Sequence, residues 1–249
     1  GRALVLGPTY AEHARAAALV GHSVDEATDP HALREADLAI VVNPNNPDGR
    51  LLSREAILDI ADALVRRGGM LVVDEAFMDV MTGGPTLAAD VAHPGIVVLR
   101  SFGKFFGLAG VRLGFALAHP QVAARLAAGF GPWAVSGPAL ELGIRALADR
   151  DWQDATRARL AAEAGRLDAL LEQAGMAVAG GTTLYRFLVH PQAGAFANWL
   201  GARGILVRTF SWNTDALRLG LPGSEPEWQR LEEAVVGWRA ATLRKDNAA

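Results

Sequence analysis

Met70-Leu71-Val72-Val73-Asp74-Glu75-Ala76-Phe77 is the stretch from which the fold follows. Its apolar opening reads as a short strand buried on both faces, and it breaks off abruptly on two carboxylates. The same design recurs on either side. Residues 38–42 run into Asn43-Pro44-Asn45-Asn46-Pro47-Asp48-Gly49, and residues 96–99 into Arg100-Ser101-Phe102-Gly103-Lys104. Residues 3–6 lead into Gly7-Pro8-Thr9-Tyr10, and Arg112 precedes a further apolar run at 113–118. An amide, a carboxylate, an amine and a guanidinium thus stand at successive strand ends. Helical patterns fill the intervals at 12–20 and 53–67, with Ser53 placed to cap the second. Strands alternating with helices argue for an α/β fold, a mainly parallel sheet with helices on both faces.

Beyond Pro120 the pattern becomes helical. Gly137-Pro138 opens one helix, and Asp151 starts a long one that reaches about Gln173 with a charged face against an apolar stripe. After Gly175, short strands at 177–178, 185–189, 206–208 and 217–219 are interleaved with helices at 195–203 and 226–243. This reads as a small α+β domain. The expected division is a large domain over 1–150 and a small one over 151–249.

The 249 residues are 51% hydrophobic, enough for a sizeable core, and the formal charge of −3 comes with no basic run to suggest nucleic acid. Zero cysteines exclude disulfides and thiolate metal sites. No apolar stretch is long enough for a bilayer and no secretory leader is recognisable, so a soluble cytoplasmic protein is expected. The six histidines (His13, His22, His31, His93, His119 and His190) show no ligand spacing and read as surface or turn residues, with no metal site. Glycines at 103, 107, 110 and 114 do not space as a dinucleotide loop.

Taken together, the strand-end stretches resemble the fold-type I pyridoxal-phosphate enzymes, the aspartate-aminotransferase-like superfamily. The resemblance implies pyridoxal 5'-phosphate as cofactor. It implies that Lys104 binds the cofactor aldehyde and that Asp74 holds a proton on the ring nitrogen. It further implies that Asn46 meets the ring hydroxyl, that Tyr10 stacks on the ring, and that Ser101 and Arg112 take the phosphate. In the small domain, Arg218 matches a clamp for a substrate carboxylate and Arg208 a contact for a substrate phosphate. Blander readings stand beside these. Asp74 could cap a turn, Asn45 to Gly49 is an ordinary turn signal, and Arg208 could form a surface ion pair. Against a merely solvated Lys104 stands its place between Phe102 and Phe105-Phe106, costly for an ammonium without a task.

Within the superfamily, Pro132-Trp133-Ala134-Val135-Ser136, Asp74-Glu75-Ala76-Phe77-Met78-Asp79 and Gly204-Ile205-Leu206-Val207-Arg208 resemble the threonine-phosphate decarboxylases of cobalamin biosynthesis. Phe77 stands where histidinol-phosphate aminotransferases carry a tyrosine. The resemblance implies a lyase acting on L-threonine O-3-phosphate, a phosphorylated amino acid, in a homodimer, with neither membrane nor nucleic acid as partner. The cofactor motifs serve decarboxylation and transamination alike, so a histidinol-phosphate aminotransferase-like enzyme is the alternative. In the family an N-terminal arm and a glycine-rich loop precede the point where residue 1 falls. The chain therefore looks like a truncated member, and a non-catalytic remnant is a second alternative.

Overall fold

The computed structural model describes residues 1–246 and divides into two compact units, Gly1–Gln153 and a second that begins at Asp154. In the first, β1 (Arg2–Leu6), β2 (Ser23–Ala27), β3 (Leu38–Val42), β4 (Met70–Asp74), β5 (Ile96–Ser101) and β6 (Gly114–Ala118) form one sheet in the order β2-β1-β3-β4-β5-β6. Every pairing is parallel except β5 with β6. Side chains alternate across a strand, so β1 sends Leu4 and Leu6 into one apolar cluster and Ala3 and Val5 into another. The first cluster receives Ile57, Ile60, Ala61 and Leu64 from α2 (Arg54–Val65); the second receives Ala17 from α1 (Glu12–Leu19). Helices therefore cover both faces, as the unbroken apolar runs of β1 and β3 require. Ser53 caps α2 by accepting from the Ala56 N–H at 3.2 Å. Truncating a fully buried anchor such as Leu64 would cost about 2–5 kcal/mol.

Two elements depart from the sequence reading. β2 is half polar (Ser23-Val24-Asp25-Glu26-Ala27) and lies at the sheet edge, where one ladder partner and partial exposure suffice, so no apolar run announces it. The run at 113–118, expected to be buried, supplies β6, which is antiparallel, at the opposite edge and largely exposed. The helices α3 (Pro120–Phe130) and α4 (Gly137–Ala148) follow, and α5 (Arg150–Gln173) continues into the second unit.

That second unit has a four-stranded antiparallel sheet in the order β7-β8-β10-β9, from β7 (Val178–Thr182), β8 (Tyr185–Val189), β9 (Arg208–Thr209) and β10 (Ala216–Gly220). Its core joins Leu188, Leu217 and Leu219 of the sheet to Leu167 and Leu171 of α5, Phe196 and Leu200 of α6 (Ala193–Gly201), and Trp228 and Trp238 of α7 (Glu225–Asp246). Leu217 and Leu219 face the helices, so the pleat turns Arg218 to the opposite face. No helix among the described residues is long and apolar enough to cross a membrane.

Candidate active site

In an open parallel sheet the polar groups at the carboxyl ends of the strands converge outside the sheet, most deeply where the strand order reverses. Here the reversal lies between β1 and β3. The loops that follow them are fastened together: Thr9 Oγ1 donates to Asn45 Oδ1 at 2.6 Å, and Asn45 Nδ2 donates to the Pro8 carbonyl at 3.0 Å and to Asp48 Oδ1 at 2.8 Å. Asn43 closes the same turn on Leu52, accepting from its N–H and donating to its carbonyl. Asn43 and Asn45 are buried in structural work. Asn46 is the partly exposed amide of the turn.

Asp74 ends β4 with its side chain only 14% exposed. Its Oδ1 accepts from the Ala76 N–H at 2.9 Å, so the turn-capping reading holds for one oxygen. The other lies 2.7 Å from Nε2 of His13, whose side chain is 15% exposed. Reading all six histidines as surface or turn residues is thus corrected at His13. The first turn of α1 carries it inward, and it holds the carboxylate from behind. Tyr10, 48% exposed, stands edge-on to the His13 ring with centroids 5.6 Å apart. The signal that could have found His13 is its spacing: residues three apart at a helix start share a face, so whatever Tyr10 approaches, His13 approaches too. A search for metal-ligand spacing passes over a histidine whose partner is a single carboxylate. No group of metal-binding side chains occurs among the described residues.

Lys104 lies in the loop after β5. The argument from costly burial fails, because Lys104 is exposed while Phe102, Phe105 and Phe106 on either side are buried. Those rings anchor the loop instead: Phe102 stacks on Phe106 at 4.4 Å, and Phe106 on Trp152 at 6.0 Å. Lys104 Nζ is left 5.4 Å above the ring of Phe77, which follows Asp74 by one turn. Ser101 Oγ accepts from the Gly103 N–H at 3.1 Å and shapes the same loop. Arg112 is the single non-glycine residue at positive φ among those described (φ 56°) and is exposed, its Nη1 donating to the Ala109 carbonyl at 3.1 Å. Left-handed backbone is unfavourable for any residue that carries a Cβ and concentrates where a site dictates the geometry.

These groups are of the chemical types that pyridoxal phosphate calls for. An aromatic face, a held carboxylate, a free-standing amine, a hydroxyl and a guanidinium answer ring, pyridine nitrogen, aldehyde and phosphate. Asp74 retains capacity for a third donor, since an ionised carboxylate offers about four lone-pair sites. Tyr10, Asp74, Lys104 and Ser101 are brought together around the ends of β1, β4 and β5, with Asn46 in the turn after β3.

Arg208 and Arg218 belong to the second unit and are directly opposed across β9 and β10. Burial draws the Arg218 guanidinium below its ordinary value; Tyr185 works against this, and Arg208 adds to it. Each also lies over an aromatic ring, Arg218 over Tyr185 at 4.9 Å and Arg208 over Phe210 at 5.8 Å.

The family described as aminotransferase class I and II matches residues 2–235. A threonine-phosphate decarboxylase of Pseudomonas aeruginosa is 47% identical over 96% of this chain and 72% of its own length. A protein of the same name from a Sinorhizobium species is 43% identical over 93% and 69%. The crystal structure of histidinol-phosphate aminotransferase from Sinorhizobium meliloti in complex with pyridoxal-5'-phosphate superposes with a TM-score of 0.82. It is 22% identical, with 97% of this chain and 71% of that one covered, a likeness of fold.

Proposed function

Because the chain belongs to the aminotransferase class I and II family, we propose that it is a pyridoxal-phosphate-dependent lyase. Its substrate is L-threonine O-3-phosphate, and its products are carbon dioxide and the aminopropanol phosphate used in cobalamin biosynthesis. The high identity to the two threonine-phosphate decarboxylases, nearly end to end on this chain, carries the reading.

The cofactor supplies an aldehyde that captures the substrate amine and a ring that takes up the electron pair left when a bond to Cα breaks. The residues divide the remaining work. Lys104 would hold the cofactor aldehyde. Asp74, fixed by His13 and the Ala76 N–H, would keep a proton on the ring nitrogen. Tyr10 and Asn46 would meet the ring face and its hydroxyl, and Ser101 and Arg112 would hold the phosphate. Arg218 would bind the substrate carboxylate and Arg208 the substrate phosphate, two guanidiniums brought opposite each other in the ladder. The bond that breaks joins Cα to the carboxylate, carbon dioxide leaves, and a proton takes its place. We assign a homodimer, as this superfamily assembles about a two-fold axis.

Incubation with threonine phosphate, and separately with histidinol phosphate plus 2-oxoglutarate, tests the assignment. Carbon dioxide release from the first is expected. Glutamate formation from the second, without carbon dioxide from the first, would make the protein a transaminase.

A further inference from the structure

Glu75 is fully buried and takes no part in the chemistry assigned above, yet it is among the most heavily partnered side chains in the first unit. Its Oε1 accepts from the Leu87 N–H at 2.6 Å. Its Oε2 accepts from Thr86 Oγ1 at 2.6 Å and from Arg100 Nη1 at 3.0 Å. The other terminal nitrogen of Arg100 pairs with Asp79. A buried carboxylate is costly to leave uncompensated, and this one is saturated by a cation and two neutral donors.

The position of the pair in the sheet gives it a consequence. Asp74 lies opposite Leu99 in the parallel ladder of β4 and β5, and the Glu75 N–H continues that ladder to the Leu99 carbonyl at 2.9 Å. One step further along, Glu75 and Arg100 are cross-strand neighbours on one face. By the pleat, Asp74 and Ser101 lie on the other. The ion pair therefore closes the last rung before the strands part into the two loops that carry Asp74 to Phe77 and Ser101 to Lys104. Thr86 and Leu87 tie the returning chain to the same carboxylate.

We infer that Glu75 and Arg100 are positioning residues, a clamp behind the strand ends that sets where the Asp74 carboxylate stands relative to Lys104. The inference rests on the pyridoxal-phosphate reading. A group attached at Lys104 meets Asp74 through its ring nitrogen only if the two strand ends keep one separation. A loosened clamp then weakens cofactor binding and shifts the pH at which the attached cofactor changes its visible absorbance. Loss of packing alone has no reason to shift that pH.

The experiment compares cofactor titrations and pH-dependent visible spectra of the wild type, Glu75→Gln, Arg100→Lys and Leu64→Ala. Glu75→Gln keeps the shape and removes the charge. Arg100→Lys keeps the charge but gives up the fork that serves Glu75 and Asp79 together. Leu64→Ala loosens the α2 side of the apolar core under the same sheet without touching the ion pair, and serves as a stability control. Both clamp variants should lose cofactor affinity by roughly tenfold, the lower end of what supporting contacts of a bound group command. Their spectral midpoint should move while that of Leu64→Ala stays. If Glu75→Gln does not fold, Arg100→Lys alone decides by the same two readouts. Wild-type affinity and midpoint in a folded clamp variant overturns the inference, as does an equal midpoint shift in Leu64→Ala. If the wild type itself develops no visible band with pyridoxal phosphate, the cofactor reading fails and the clamp's proposed role fails with it.

Discussion

The strand ends of the first unit and the arginine face of the second solve opposite electrostatic problems. Around Asp74 charge is compensated before any ligand arrives: His13 and a backbone N–H hold the carboxylate, and Arg100 with two neutral donors saturates Glu75. Across β9 and β10 two arginines are opposed in the ladder, a like-charge pairing; burial disfavours the charge on Arg218, and Tyr185, over whose ring it lies, favours it. A compensated site is preorganised and keeps its geometry whether or not it is filled. A site of opposed cations gains by taking up anions. The contrast suits a resident cofactor in one region and a transient dianionic substrate in the other.

The contrast breaks most completely at Lys104. Lys104→Ala should abolish both the visible absorbance of the attached cofactor and turnover, with thermal stability nearly unchanged, because an exposed side chain is removed and no core volume is lost. A borohydride-reducible cofactor adduct persisting in this variant shows that another amine does the work. Next in size is Asp74→Asn, which keeps the shape and removes the charge. Preorganised charge at a reacting centre is typically worth about a hundred- to thousand-fold in rate. Turnover should fall by that order while cofactor binding falls less. Wild-type turnover removes Asp74 from the mechanism.

The first unit was largely legible in the sequence because unbroken apolar runs mark its buried parallel strands, and the chemistry stands where those runs stop. Asp74 and Lys104 are read in this way, from strand end to loop. What escaped is what periodicity does not encode. β2 has no apolar run because an edge strand needs none, and β6 has one yet lies exposed. His13 and Glu75 act through partners distant in sequence, Asp74 and Arg100, and a single chain carries no mark of such pairings. The desolvation argument for Lys104 mistook neighbours in sequence for neighbours in space: the phenylalanines turn inward and leave the amine outside. The second unit gave up the roles of its arginines through the family resemblance: Arg208 reads equally well as a surface charge, and only the flanking Leu217 and Leu219 mark Arg218 in the sequence.

Arg112 sharpens the comparison, since it belongs to the compensated region yet sits at positive φ. Arg112→Ala and Arg112→Gly should both weaken cofactor affinity about ten- to hundred-fold, the worth of a charge-assisted phosphate contact. The two should part in stability. Glycine relieves left-handed strain of roughly 1 kcal/mol that alanine retains, so the cofactor-free glycine variant should melt higher than the alanine variant. Unchanged affinity in both variants would mean that the guanidinium serves the turn, through the Ala109 carbonyl, and not the phosphate.

The smallest effect expected falls on Arg208, and it is selective. Arg208 lies on the exposed two-residue strand β9, where solvent screens a charge more than it does at the partly buried Arg218. Removing its side chain costs a contact that only a phosphorylated ligand makes. Arg208→Ala should raise KM for threonine phosphate by about tenfold, the low end for a hydrogen bond to a charged group, and leave any turnover of unphosphorylated threonine almost untouched. Arg218→Ala should depress both substrates, because both present a carboxylate, and the loss should extend to kcat, since the same grip orients the bond that breaks. Relief of the opposed cations adds a second readout. Arg208→Ala removes the like-charge contact from an exposed position, so the substrate-free protein should be slightly stabilised at low ionic strength, with the gain fading as salt rises. Equal penalties on threonine and threonine phosphate from Arg208→Ala would remove the phosphate assignment and leave Arg208 with a general electrostatic part. A penalty confined to the phosphorylated substrate fixes the second unit as the region that recognises what is to be decarboxylated, while the first holds the means of doing so.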